Sequence, residues 1–521
     1  MLKHLIIITC LFLSACMVGP DYKEPKSKVA SRWLQASPDK NASVSNRPFR
    51  TTNWWKVFSD PTLTALINQG YRNNLNLQIA GVRVLQTRAQ LAQSVGELYP
   101  QQQSAIGNYT YQRIGGSSLQ SILPSSFETA ALGFTANWEI DFWGKYRRAI
   151  QSNDAVFLAS LAAYDNALVT LTADIASTYI DIRTTQELIR VTKANIEVQS
   201  TSLNIAKSRF RAGQTSLLDV QQAQTELAQT QAKLPGRIST LQQQKDKLAL
   251  LLGIVPTEVD KLISKSYGIP RAPSRIEVGI PRETLAQRPD IHEARLNAIA
   301  QSSSIGAIKA NLYPAFSLAG SFTFAANTIG NSSLSDLFRW SNRTITAGPS
   351  FTWPILNYGQ ITNAVRVQDA AFQQSLLQYL NLVLQAQQEV QDNITRYIEA
   401  KKTKYSLAVA NNSATQSTRL AIIRYKEGES DYTTVLDVER QQLQVQTSLT
   451  TAKGDISQAL VALYRALGGG WQIRNGNDVV PNSIKDEMAA RTNWGSLLKQ
   501  QNHMPPTTPQ ERIKQLYLPN W

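Results

Sequence analysis

Cysteine is almost missing from this sequence: 521 residues contain two, Cys10 and Cys16. A chain so poor in thiols has no disulfide framework. Histidine is nearly as scarce, with His4, His292 and His503 the only three. Neither His292 nor His503 has a partner at metal-ligand spacing, and Asp290 and Glu293 beside His292 read as a helix start. Charged residues are 17% of the chain, below the ~25% usual for soluble domains. Past the N-terminus no run of about 18 apolar residues occurs, so no bilayer-crossing helix is expected. No phosphate-binding glycine loop and no nucleophile motif appears, which leaves an enzyme as the least favoured class. Lys and Arg (53) exceed Asp and Glu (38), for a net charge of +15. The basic residues form no dense cluster, so the excess reads as a solvated surface and not as a nucleic-acid site.

The N-terminus has the layout of an export signal. Lys3 and His4 precede a nine-residue apolar core from Leu5 to Leu13, too short to span a membrane. Leu13-Ser14-Ala15-Cys16 follows and resembles a bacterial lipobox, which implies cleavage after residue 15 and acylation of Cys16. Met17 follows where an Asp would signal retention, which implies export to the outer membrane. Pro20, Pro25, Pro38 and Pro48 then lie among Ser, Asn and Lys, and predict an extended linker to about Phe49.

The rest of the chain repeats itself. Trp138, Gly144, Gly213 and Gly253 recur 215 positions later as Trp353, Gly359, Gly428 and Gly468. Leu98-Tyr99-Pro100 recurs 214 positions later as Leu312-Tyr313-Pro314. Glycine and proline mark where a chain turns, so shared punctuation implies a shared architecture. Residues 145–212 and 360–427, 68 in each case, contain neither Gly nor Pro. As helices they would be about 100 Å long. Leu161, Leu168, Ile175 and Ile182 recur every seven residues, as do Leu376, Val383 and Val390, which predicts coiled-coil packing. Further helices are expected at about 61–98, 216–252, 283–312 and 431–467, with a kink or break at Pro235.

Between the helices lie four segments of period two. Leu132, Phe134, Ala136, Trp138 and Ile140 alternate with Gly133, Thr135, Asn137 and Glu139. Phe316 to Phe324 and Ile345 to Trp353 alternate likewise, and Tyr109 and Tyr111 do so more weakly. Each is long enough for a tilted strand to cross a bilayer, with aromatics towards the ends. Four strands cannot close a barrel, and lipid tolerates no open edge. A dimer pooling eight strands or a trimer pooling twelve would close one.

Taken in order, five motifs resemble the outer membrane factor family, the TolC-like and OprM-like channels, in its NodT-type lipoprotein branch. They are Cys16-Met17-Val18-Gly19-Pro20-Asp21-Tyr22, Trp54-Trp55 with Phe58, Asp60, Pro61 and Leu63, Asp141-Phe142-Trp143-Gly144, Arg288-Pro289-Asp290, and Leu467-Gly468-Gly469-Gly470-Trp471. The resemblance implies a mixed α and β membrane protein. It implies a homotrimer whose transmembrane β-barrel has twelve strands and continues as a long α-helical coiled-coil barrel in the periplasm, each chain giving two tandem repeats and four strands. The expected parts are a signal peptide (1–15) and an anchor with linker (16–50). A first repeat (51–265) would carry strands at about 102–114 and 130–141. A second (266–471) would carry strands at about 315–326 and 343–354. A polar extension (472–521) would lie partly against the middle of the tunnel, the remainder without fixed structure.

The implied function is the outer-membrane conduit of a tripartite efflux pump. Its partners would be a periplasmic adaptor, an inner-membrane pump of the RND type and outer-membrane lipid, with no cofactor beyond the lipid on Cys16. The resemblance places Asp437 and Asp219 at the periplasmic aperture, Tyr425 among the links that hold it shut, and Gly213 and Gly428 at helix tips facing the adaptor. Thr434 stands where some members carry another Asp. Two alternatives are the exit duct of a type I secretion system and a structural periplasmic lipoprotein without a pore.

Overall fold

The computed structural model describes residues 17–36, 43–47, 52–115, 124–264, 268–330, 332–474 and 477–499. Cys16, the signal segment before it and residues 500–521 lie outside the described residues. In chain order the elements are β1 (Val44–Ser45), α1 (Pro61–Asn73), α2 (Leu75–Gly96), β2 (Gln102–Arg113), β3 (Ser126–Ile140), α3 (Lys145–Arg211), α4 (Leu217–Leu252), α5 (Val259–Ile263), β4 (Ile276–Glu277), α6 (Pro281–Ala286), α7 (Pro289–Lys309), β5 (Ala315–Asn327), β6 (Arg343–Thr352), α8 (Gln360–Glu427), α9 (Tyr432–Ala466) and α10 (Asn482–Arg491). Two helices, two strands and a long helical hairpin thus follow one another twice.

The four long strands form one antiparallel sheet in the order β2-β3-β5-β6. Its register sorts side chains by polarity. Ala105, Phe134, Phe322 and Ile345 share one row; Ser104, Thr135, Ser321 and Thr346 share the next. Successive strand residues face opposite sides, so one face is apolar and the other small and polar. β2 and β6 are the edges, each paired on one side only. β3 begins at Ser126, four residues before the expected start. Thr328 extends its pairing, donating its amide to the Glu128 carbonyl (3.0 Å) and accepting the Glu128 amide on its hydroxyl (2.8 Å).

Tryptophan joins sheet to helices in both repeats. Trp138 Nε1 donates to the Leu98 carbonyl at 3.1 Å, and Trp353 Nε1 to the Leu312 carbonyl at 3.0 Å. Asp141 opens α3, accepting the Tyr146 and Arg147 amides at 3.1 and 3.0 Å. A carboxylate there satisfies orphan donors and meets the positive helix end. Trp143 donates to the Pro314 carbonyl at 2.8 Å and stacks on Tyr313.

Two helices depart from expectation, and a third has no break at its proline. The helix expected over 61–98 is two, broken at Asn74, whose side chain accepts from the Leu77 amide (2.8 Å) and donates to the Leu251 carbonyl (2.9 Å). The helix expected over 283–312 breaks before Pro289, because proline pushes the preceding residue out of helical conformation. Conversely, α4 runs unbroken through Pro235. Its next turn is stitched to α3 by Arg237, which donates to the Leu188 carbonyl at 2.6 Å.

The main core lies where α1, α2, the first half of α3, the middle of α8 and the C-terminal ends of α4 and α9 meet, around Trp54, Ile67, Leu168, Ile175, Tyr179 and Leu460. Asp60 caps α1 through the Thr62 and Leu63 amides and accepts from the Tyr179 hydroxyl at 2.9 Å. Arg288, 6% exposed, ties three helices together by bonding Asp290, Glu389 and the Ala466 carbonyl. One window of α3 is long and apolar enough to cross a membrane, but half of it is buried inside the molecule, as for a core helix.

Residues expected as a linker form a strap packed on the body. Val18 donates to the Trp143 carbonyl (3.0 Å), and Asp21 pairs with Arg148 (2.9 Å). Gln387 accepts the Ala30 amide and donates to the Lys28 carbonyl, both at 2.9 Å; Gln391 accepts the Leu34 amide at 3.0 Å. Trp33 is buried in the main core. The C-terminal extension packs too, as far as residue 499. Val479 sits against Gly81, and Arg88 donates to the Leu497 and Lys499 carbonyls. Arg474 forms two 2.9 Å bonds to Asp165, whose carboxyl burial raises to about 6 against the pull of that guanidinium. Replacing one partner of a buried pair leaves the other unpaired, at about 3–5 kcal/mol. Arg474→Ala is therefore expected to lower the thermal unfolding midpoint by several degrees, and Arg474→Met with Asp165→Leu to recover most of it. Calorimetry in detergent measures both.

Candidate functional site

Apart from Cys16, which lies outside the described residues, the sites inferred from sequence fall at the ends of the two long hairpins. Both turns are built alike. At the end of α3, Gly213 donates to the Phe210 carbonyl and Gln214 to that of Arg209; at the end of α8, Gly428 donates to the Tyr425 carbonyl and Glu429 to that of Arg424. This pair of bonds terminates a helix through one left-handed residue, and Gly213 (φ 72°) and Gly428 (φ 86°) supply it at no steric cost. The bonds fall at the 215-residue offset of the repeat.

Between the turns the structure brings Asp219 and Tyr425 together. The Tyr425 hydroxyl donates to Asp219 Oδ2 at 3.2 Å, and the Thr215 hydroxyl bonds the same oxygen. Asp219 also lies in the first turn of α4, where a carboxylate meets the positive helix end. Arg209 stacks on the Tyr425 ring, 4.7 Å from its centroid, donates to the Tyr425 carbonyl and lies beside Gly428. Tyr432 meets Tyr425 edge-on at 5.3 Å. Burial raises the Tyr425 phenol above its ordinary range. The ring anchors a core of Leu203, Ala206, Val220, Ala223, Leu227, Val435 and Leu436 that is separate from the main one.

Asp437 and Thr434 stand apart from this cluster. They are three residues apart on α9, both exposed, on a face away from the buried Val435 and Leu436. Among the described residues Asp437 makes no side-chain hydrogen bond or ion pair, so its charge faces outward. Arg209, Thr215 and Tyr432 were not singled out from sequence. Arg209 had a signal there: it and Arg424, in the last turns of α3 and α8, are themselves 215 apart.

Comparison with known proteins gives this geometry a setting. The sequence model of the outer membrane efflux protein family matches residues 66–254 and 280–469, one stretch in each repeat. The chain belongs to that family. Nodulation protein T of Rhizobium leguminosarum bv. trifolii is 27% identical over 461 residues, covering 88% of this chain and 96% of that one. The probable efflux pump outer membrane protein TtgC of Pseudomonas putida is 28% identical over 482 residues, covering 90% and 96%. Among solved structures the outer-membrane channel OprN superposes with a TM-score of 0.81 at 28% identity, over 88% of this chain and 100% of that one. The protein is thus an outer-membrane efflux protein of a family whose members are channels. Tyr425→Phe deletes one hydroxyl but keeps the ring against Tyr432 and Arg209. It is expected to cost about 1 kcal/mol, the net worth of one hydrogen bond. Faster amide exchange confined to the two turns would register it.

Proposed function

We propose that the protein is the outer-membrane subunit of a tripartite efflux pump, a passive conduit for drugs or other small toxic compounds. The observation that carries this is the row-by-row sorting of the four-stranded sheet, with both its edges open. An apolar face suits lipid, but an unpaired strand edge in hydrocarbon costs several kcal/mol for each orphan polar group. The edges are satisfied when β6 of one chain pairs with β2 of the next. Three chains close twelve strands around a lumen lined by small Ser, Thr, Ala and Gly side chains; eight strands would leave an interior that side chains fill.

The helices make the same demand. α3 buries 30 of its 67 residues within the chain, whereas α8 buries 11 of 68. Val367, Leu377, Leu384, Tyr405, Val409 and Leu420 on α8 are more than half exposed. In a homotrimer α8 packs on the neighbouring chain and completes a helical tunnel. The strap begins at the sheet–helix junction, where Val18 meets Trp143. Lipidated Cys16, two residues earlier, would then enter the membrane beside the foot of the barrel, with the helices in the periplasm. The hairpin tips face the adaptor, and an inner-membrane pump, of the RND type in this reading, supplies the energy; the chain itself catalyses nothing.

At the tips the Asp219–Tyr425 link holds one hairpin to the other. Asp437, without a side-chain partner among the described residues, lines the aperture as a ring of three carboxylates that attracts cations. Thr434, one turn away, adds no charge to that ring. Single-channel recording in planar bilayers tests the reading. Wild type is expected to conduct weakly and select cations, and Asp437→Ala to conduct more or lose selectivity. A conducting pore indifferent to the substitution would remove Asp437 from the aperture. No conductance from folded, inserted protein would remove the channel.

A further inference from the structure

Next to the tip core, a seam of buried polar side chains runs between α3 and α9. Two hydrogen bonds set the register of α3 against α9: Asn195 Nδ2 to Gln446 Oε1 at 2.6 Å, and the Ser202 hydroxyl to Glu439 Oε1 at 2.5 Å. Midway between them that antiparallel register sets Gln199 opposite Gln442. Gln199 is 2% exposed, Thr230 on α4 is fully buried, and Glu439 is 1% exposed. Five atoms of this seam have no hydrogen-bond partner among the described residues: Glu439 Oε2, both amide atoms of Gln199, Gln442 Oε1 and Thr230 Oγ1. A coiled coil packed for strength alone places apolar side chains at such positions.

Glu439 is the one acid in the seam without a cation. Glu226 on α4, also buried, is held by Arg440 at 2.7 Å, and Arg440 itself is half exposed. The other titratable group facing Glu439 is the Tyr432 phenol on its own helix. α3 presents the Ser202 hydroxyl, and α8 presents Thr418, whose hydroxyl is taken by the Val438 and Ala414 carbonyls. An ionised Glu439 would thus be a buried charge with one hydroxyl for company and another carboxylate nearby, an arrangement that proteins relieve by taking up a proton.

We propose that Glu439 is a proton-binding site built into the hairpin bundle, and that one proton per chain holds α9 against α3 and α4. Burial raises its carboxyl to about 7, with the Ser202 hydrogen bond opposing and the Glu226 charge adding. The ordinary value, 4.5, applies once the helices part. Between those values the packed bundle holds a proton that the parted one releases. Packing is therefore at full strength below the lower value, weakens as pH rises towards the upper one, and is level beyond it. If the hairpin tips close the aperture of the conduit proposed above, rising pH favours its opening.

Hydrogen exchange of the full-length protein in detergent, followed from pH 5 to 8 and expressed as protection relative to intrinsic rates, tests the site. In wild type, protection of amides in the 436–446 stretch is expected to fall about tenfold per pH unit up to pH ~7, the slope of one proton, and then level off. Glu439→Gln, a neutral copy of the protonated form, is expected to hold the acid-side protection throughout. Glu226→Gln is expected to move the levelling-off point to lower pH. A wild type without slope, or a Glu439→Gln variant that keeps it, would overturn the proposal. The exchange readout needs only the folded chain, so its outcome is independent of the bilayer recordings that test the conduit.

Discussion

A strand edge carries backbone donors and acceptors that must be paired, and hydrocarbon offers no water to pair them. The four-stranded sheet of this protein meets that constraint in its interior and leaves it open at β2 and β6. Most of the molecule can be understood as a consequence. The apolar rows through Phe134 and Phe322 suit the sheet to lipid, where its edges would need further strands. In the proposed assembly those strands come from further chains, and α8, with one exposed apolar side chain after another along its length, would meet the same neighbours. In the conduit proposed above, oligomerisation is the step that finishes the fold.

Duplication supplies the rest of the frame. Two tryptophans capping the carbonyls of two leucines, and two glycine turns with identical bonding, mark a unit used twice. What differs between the copies is informative. The first hairpin ends in Phe210 and contributes Asp219; the second ends in Tyr425 and has Thr434 at the position 215 beyond Asp219. The hydroxyl on one copy and the carboxylate on the other join the hairpins, a contact that identical copies of either unit could not make.

Along the bundle the character of the packing changes. The upper part is a large apolar core reinforced by buried pairs such as Arg474–Asp165 and by Arg288 bonded to three helices. The tips have their own small core. Between the two, α4 buries nothing from residue 231 to residue 247, and α3 and α9 meet across glutamine, serine and glutamate. Polar contacts of this kind are worth less per residue than apolar ones and respond to solvent conditions. The ends of the hairpins near the tips are thus less firmly held than the ends that join the main core.

Much of this was legible in the residues themselves. Period two located the four strands, the absence of Gly and Pro over 68 residues outlined the long helices, and paired glycines located the turns. All of these are local: they depend on side-chain direction and backbone freedom within a few positions. Other features depended on residues distant in the chain. The break at Asn74 is secured by a carbonyl 177 positions away, the strap by glutamines more than 350 away, and the Asp219–Tyr425 contact spans 206. The buried state of Glu439 follows from three helices closing around it, while its neighbours in sequence read as an ordinary helix face. Sequence by itself determined the long helices and strands, their duplication and the apolar and polar sides of each strand, because backbone geometry imposes those periods. The partner of each polar side chain, and with it the charge a buried acid can bear, was decided only by tertiary structure, because desolvation depends on everything packed around a group.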